Sequence, residues 1–311
     1  MRRTLRILIM RILLLTIWSL PAGLFAGSFS GAAGTPGSEA MAKDAAGFVA
    51  WANGNLAPVY GSGVDTTWKT PAKAHGKATG DPFDIVCLGN GGQITLSFPR
   101  PIRDGEGADF AVFENALSST FLELAFVEVS SDGVNFVRFP NRSEGVYAVG
   151  GFGMVDPTTL NGLAGKHQVG YGTPFDLATL AGAPLLDRAN IRFVRLVDIL
   201  GNGTTLDSTG HPIYDPTPTT GSGGFDLEAI GVIHQNAGDF KIVRAEIADS
   251  AFQIAWESNP GSTYRIETAT TLNGWMPIDT VTAAPDRAIT SLALALGSSP
   301  QRFWRVVWLA P

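Results

Sequence analysis

Cysteine is almost missing from this chain. Cys87 is the only one in 311 residues, so no intramolecular disulfide can form and no thiolate-rich metal site can be built. Its neighbours Ile85, Val86 and Leu88 mark it as a small buried hydrophobe rather than a reactive thiol. Charge is scarce too. Only 16% of residues are Asp, Glu, Lys or Arg, and acids outnumber bases 28 to 22. The basic excess on which nucleic-acid binding rests is therefore absent. Histidine occurs at His75, His167, His211 and His234, none of them in a His-Glu-x-x-His pattern, and no Cys-x-x-Cys exists. Gly221-Ser222-Gly223 is a fragment of a nucleophile elbow, and Gly89–Gly92 lacks the Lys-Ser/Thr of a phosphate loop. These absences remove the commonest catalytic sets and point away from an enzyme.

What is plentiful is punctuation. Thirty-seven Gly and 19 Pro separate short apolar runs, the pattern of an all-β protein with many turns. The chain opens differently. Arg2, Arg3, Arg6 and Arg11 precede the apolar stretch Ile12–Phe25, which ends in Ala26-Gly27. A basic start, an apolar middle and a small-residue end predict a secretory signal peptide over 1–26. The competing reading is an uncleaved anchor, but the stretch is shorter than the ~20 residues a spanning helix needs. The mature chain is thus expected to be secreted or held at the cell surface, with no transmembrane segment. Residues 27–37 are small and polar, which predicts a flexible leader.

Residues 38–235 read as one large sandwich. Met41, Ala45, Phe48, Val49 and Ala52 fall at helical spacing between a capping Ser38 and Asn53-Gly54, predicting a short helix over 38–54. Beyond it, Ile94, Leu96 and Phe98 share one strand face, and Val127 and Val129 alternate with Glu128 and Ser130 before the turn Ser131-Asp132-Gly133. Gly201–Gly224 reads as a structureless loop, a length that usually carries function. A second unit, 240–311, alternates through Phe252–Trp256 and Tyr264–Glu267, as a small Ig-like or fibronectin-like sandwich does. Trp256, Trp275, Trp304 and Trp308 are its expected core.

The run Cys87–Leu96, then Pro101–Gly105, Asp109-Phe110-Ala111-Val112-Phe113-Glu114-Asn115, Val127–Asn135, Gly170–Leu177, Val194–Asp198 and Gly223–Gly231 resembles a family of bacterial secreted cell-surface proteins. Glu128–Phe136 is also similar to discoidin-type and galactose-binding-like domains. That second resemblance implies a jelly-roll-like sandwich. The C-terminal unit resembles a small sandwich module of bacterial exported proteins.

Two sets of residues are candidate sites. Asp198, Asp207, Asp215, Asp226 and Glu228 lie in or beside the long loop, and such a set can supply the six to eight oxygens that calcium takes. The alternative is Asp residues capping their own turns. Glu114 and Asn115, at the end of a strand, and the loop aromatics Trp68 and Tyr60 are the candidate ligand-binding residues; the alternative is strand-edge carboxylates and buried anchors. These features predict a non-catalytic surface binding or adhesion protein that takes carbohydrate or a cell-envelope component with calcium. The rivals are a glycoside-acting hydrolase with paired carboxylates and a purely structural envelope protein.

Overall fold

The computed structural model describes residues 27–236, 240–297 and 301–309; the predicted signal peptide lies outside them. The first part of the chain supplies β1 (Met41–Ala42), β2 (Ala50–Trp51), β3 (Gly54–Asn55), β4 (Val86–Cys87), β5 (Gln93–Ile102), β6 (Phe110–Glu114), β7 (Ala125–Ser130), β8 (Val137–Arg138), β9 (Arg142–Ser143), β10 (Leu160–Asn161), β11 (Tyr171–Phe175), β12 (Ile191–Asp198), β13 (Asn202–Leu206), β14 (Pro212–Tyr214) and β15 (Asp226–Val232). One sheet runs β1-β11-β6-β15-β2, with β4 also paired to β15; the facing sheet runs β3-β5-β12-β7-β8. The protein is an all-β sandwich.

Alternation decides what lies between the sheets. From one side come Phe110, Val112, Leu227, Ile230 and Val232, from the other Ile94, Leu96, Val127, Val129, Val194 and Leu196, all in one buried cluster. The outer face of the second sheet is mixed, with Phe126, Phe193 and Val197 beside Glu128, Ser130 and Arg195. There Glu128 lies opposite Arg195 on one neighbouring strand and Arg138 on the other, and accepts from both. A one-residue slip would carry Glu128 and Arg195 into the apolar core, and this fixes the register.

The expected helix over 38–54 is absent. The chain instead forms β1 and β2, which lie at opposite ends of the first sheet's strand order. Four inter-strand spacings are roughly 19 Å, and the eight residues from 42 to 50 would rise only about 12 Å as a helix. The chain must therefore cross extended. Its helix-like apolar residues still find a surface: Phe48 and Trp51 pack on Phe113 at 5.6 and 5.5 Å between ring centroids, covering the outer face of β6. Gly231 allows this approach, since a Cβ there would sit 2.7 Å from the Phe48 ring. Residues 27–37, expected to be free, are tied to the sandwich by Phe29 N–H donating to the Thr158 carbonyl and by buried Lys166, which bonds Ser30 and Glu39. The predicted loop 201–224 is half structured, as the hairpin β13–β14.

Residues 242–309 form two further three-stranded sheets: β16 (Ile242–Ala248), β17 (Ala251–Glu257), β18 (Thr263–Ala269), β19 (Met276–Thr282), β20 (Ile289–Ala295) and β21 (Phe303–Leu309), ordered β16-β17-β20 and β19-β18-β21. Ile254, Trp256, Tyr264 and Ile266 form their core, with Trp304 and Trp308 packed against it. Trp275 is not part of that core; it lies beneath the Arg305 guanidinium. The two parts meet where buried Arg192 donates to Asn259 and Glu257, and where Arg100 stacks over Trp308.

A charge buried without a partner is among the most damaging single changes. Val129→Asp, at a fully buried position, is expected to cost at least ~3 kcal/mol in denaturant unfolding. Val134→Asp, five residues on and 80% exposed, should change stability by less than about 0.5 kcal/mol.

Candidate functional site

Strand ends carry the acidic groups of one end of the sandwich. Glu114 closes β6, Asp198 closes β12 and Asp226 opens β15. Because β6 and β15 run antiparallel with Leu227 opposite Glu114, and β4 sets Cys87 opposite Asp226, these residues reach the same end. Asp215 follows β14, and Glu123 lies two residues before β7. All five carboxylates are buried.

Their hydrogen bonds come chiefly from backbone amides. Asp198 accepts from the Gly91 and Phe225 amides, both at 2.6 Å. Gly224 permits this: it holds φ at +80°, and a Cβ there would lie 2.8 Å from Asp198 Oδ1. Asp215 Oδ2 accepts from the Leu124 amide at 3.0 Å, and Glu114 Oε2 from the Ala116 amide at 2.8 Å. Asp226 Oδ2 accepts from Asn115, whose Nδ2 also donates to the Pro82 carbonyl. Two oxygens are left over. Glu123 Oε1 and Asp226 Oδ1 are buried without an N–H or O–H donor, and the Cys87 thiol lies within hydrogen-bonding reach of the Asp226 carboxylate. No ion pair joins any of the five to Lys, Arg or His among the described residues.

Burial pushes every one of these groups up, and a neighbouring carboxylate adds to the rise at Glu114, Glu123, Asp198 and Asp215. Glu123 rises to about 9 through burial and the charges of Asp226, Asp215 and Asp198. Asp198 and Asp226 rise to about 7, mainly through burial. Glu114 and Asp215 lie well above the ordinary carboxylate range for the same first reason. Cys87 is also pushed up by burial and by Asp226, so it stays a thiol, and its Sγ donates to the Gly223 carbonyl.

Asp198, Asp215 and Asp226 thus come together with Glu114, while Asp207 and Glu228 stand apart. Asp207 caps its own turn: it accepts from the Thr209 amide and hydroxyl and the His211 amide, and reaches across to the Ser143 amide. These donors pull it down to about 2 despite its burial. Glu228 bonds Thr79 and the Gly80 amide beside the 77–84 loop. Sequence reasoning passed over Glu123. Its signal was a lone carboxylate in the apolar run Phe121–Val127.

At the other end of β6, Asp104, Asp109 and Asp176 place their oxygens within 4.8 Å of one another. These are already engaged. Asp109 accepts from the Gly105 and Leu177 amides, and His234 lies 2.8 Å away. Asp104 pairs with Arg188, and Asp176 caps a short 3-10 turn. That set ties loops to the strand. The five carboxylates opposite are spread more widely, and of the two sets only they include oxygens without a donor; Glu228 Oε2, in neither set, is also buried without one.

The loop aromatics flank the same end. Trp68 stacks on Phe83, centroids 6.4 Å apart and rings inclined by 23°, and Phe83 is 64% exposed. Pro82, next to Phe83, receives the Asn115 bond. Tyr60 is different. It packs against the core, its hydroxyl is buried without a partner, and Cys87 lies near enough to help raise its pKa after burial. It offers no open ring face for stacking.

No family model matches this chain, and no curated protein matches it. The crystal structure of a beta-1,2-glucanase from Parabacteroides distasonis is similar over 70% of this chain and 28% of that one, with 11% identity and a TM-score of 0.20. The chain therefore spans under a third of that protein, and a likeness so low carries no argument about fold or activity.

Carboxyls raised on folding make the folded state bind more protons than the unfolded one. Stability then falls as pH rises from the ordinary carboxylate value towards the raised one. With divalent ions chelated, the melting temperature is expected to fall steadily as pH climbs from about 5 towards 9, the window set by values near 7 for Asp198 and Asp226 and near 9 for Glu123. Melting curves in EDTA across that range check the sign.

Proposed function

We propose that this chain is an exported, non-catalytic surface-binding protein. In this reading a calcium ion held at the end of its first sandwich stiffens an adjoining surface that takes carbohydrate. The observation that carries it is the pair of buried oxygens without donors, Glu123 Oε1 and Asp226 Oδ1, within five carboxylates that no basic side chain neutralises. Buried carboxylates must be protonated, paired or bound to a cation. Glu123 and Asp226 are the residues that would hold the ion, with Glu114, Asp198 and Asp215 within electrostatic reach of them. Calcium suits an all-oxygen set completed by backbone carbonyls. Cys87, kept as a thiol, gives no reason to prefer a softer metal.

Carbohydrate is the ligand class supported by the stacked Trp68–Phe83 pair, because the apolar face of a sugar ring packs on a flat aromatic surface. Asn115 couples the two regions. Its amide bonds Asp226 on one side and the backbone next to Phe83 on the other, so an ion ordering Asp226 also orders the aromatic loop. The sealed position of Glu123 Oε1 and Asp226 Oδ1 favours ion binding over glycoside cleavage, which needs carboxylates open to a sugar and to water.

A cation that binds only the folded state stabilises it by RT ln(1 + [L]/Kd), about 2.7 kcal/mol at a hundredfold excess over Kd. For a domain of this size that is a rise of roughly 5–10 °C. Calcium should raise the melting temperature of the wild type by that order over EDTA, and Asp226→Asn should remove the difference. On a glycan array the wild type should bind in calcium and lose its signal in EDTA. Trp68→Ala should lose glycan binding while keeping the calcium shift. Superimposed melting curves in calcium and EDTA sink the metal site, and a blank array in calcium sinks the carbohydrate reading.

A further inference from the structure

We propose that β16 is a self-complementary edge through which two copies of this chain join into one continuous sheet. β16 ends the order β16-β17-β20, and from Ile242 to Ile247 every residue is exposed. Ile247 is 69% exposed and Val243 48%. An edge of this kind presents unpaired N–H and C=O groups and is a ready template for another strand. Among the other edges, β19 is as exposed but is interrupted by Pro277, which lacks an N–H, and β20 and β21 keep part of their length covered.

The hairpin to β17 determines which backbone groups are free. Asp249 and Ser250 both have positive φ and form a two-residue turn. Ala248 pairs with Ala251 beside that turn, Ile247 with Phe252, Glu246 with Gln253, Ala245 with Ile254 and Arg244 with Ala255. Antiparallel ladders alternate, so Ala248, Glu246 and Arg244 direct their backbone bonds to β17. Ile247 and Ala245 direct theirs outward.

A second copy laid antiparallel about Ala245 uses those outward groups. Ala245 then meets Ala245 of the other copy in a hydrogen-bonded pair. In the same register Arg244 faces Glu246 in both directions; a register shift between Ile242 and Arg244 ends the regular pairing on one side, and the Asp249-Ser250 turn ends it on the other. Arg244 and Glu246 are of opposite sign, so both cross-copy charge pairs about Ala245 are complementary. Arg244 and Glu246 already bond each other within one copy, on the same face of the strand, and the pairing exchanges partners without turning either side chain. Opposite charges across an antiparallel pair favour a register, and like charges disfavour it. Two joined chains would also present two ligand surfaces to one target, which raises avidity without a new contact.

Sedimentation velocity on the full chain tests this. The wild type should pass from monomer to dimer as concentration rises. Arg244→Glu and Glu246→Arg each oppose like charges across Ala245. Each alone should weaken the dimer at least ~10-fold, and an equimolar mixture should restore it. Both positions are exposed, so the melting temperatures should not move. As a second readout, Ala245→Cys should form a disulfide between copies on mild oxidation, since Cα atoms of directly opposed strand residues lie about 5.5 Å apart, within disulfide reach. Cys87 is buried and should not compete. Thr280→Cys, on exposed β19, is the control. A wild type that stays monomeric into the hundreds of micromolar overturns the proposal. So does a dimer indifferent to both charge variants, or cross-linking at Thr280→Cys equal to that at Ala245→Cys.

Discussion

The pairing of β6 with β15 is the constraint on which the rest of the first sandwich depends. Both strands are buried along their whole length. β6 faces the sandwich core through Phe110 and Val112, and its back is covered by Phe48 and Trp51 packing on Phe113. A strand buried on both faces cannot slide, so the groups at its ends are fixed in space. At one end is Asp109, satisfied by the Gly105 and Leu177 amides. At the other is Glu114, beside Asp226 at the start of β15. The same rigid pair thus fastens loops at one end and gathers unneutralised carboxylates at the other.

The difference between the two ends is a matter of donors. Asp109 has an amide for each oxygen and His234 as well. Asp207, elsewhere in the fold, is satisfied so fully by its own turn and by the Ser143 amide that its carboxyl is held down near 2. The Glu123–Asp226 region has fewer donors than acceptors, and burial removes the water that would make up the shortfall. Such an imbalance costs stability unless a proton or a cation corrects it. A calcium ion has the coordination number to do so.

A similar economy governs the C-terminal sheets. Their inner faces bury Ile254, Trp256, Tyr264 and Ile266, but three-stranded sheets leave much of their length as edge. β19 is blunted by Pro277, whereas β16 is open and carries charges that match a copy of itself. Arg192, reaching from the first sandwich to Asn259 and Glu257, ties these sheets to the rest of the chain, so an association at β16 would bring the two carboxylate ends into one assembly.

The sequence by itself determined the all-β class and the core faces of the long strands. Val127, Val129, Ile94, Leu96 and Phe98 alternate with polar neighbours, and a period of two admits one reading when one face is buried. It did not determine residues 38–54, where the same apolar spacing suits a helix or an extended crossing. The distance between the two ends of a sheet decided that, and no local pattern records it. Nor did it separate Asp207 from Asp198, Asp215 and Asp226. All four are Asp near glycines, and only the packing of strand ends shows which find amides in their own turn and which converge. Glu123 was legible as an isolated charge in an apolar run, but its partners lie on strands far away in sequence. Convergence of that kind is a property of register and burial, and it exists only once the sheets have closed.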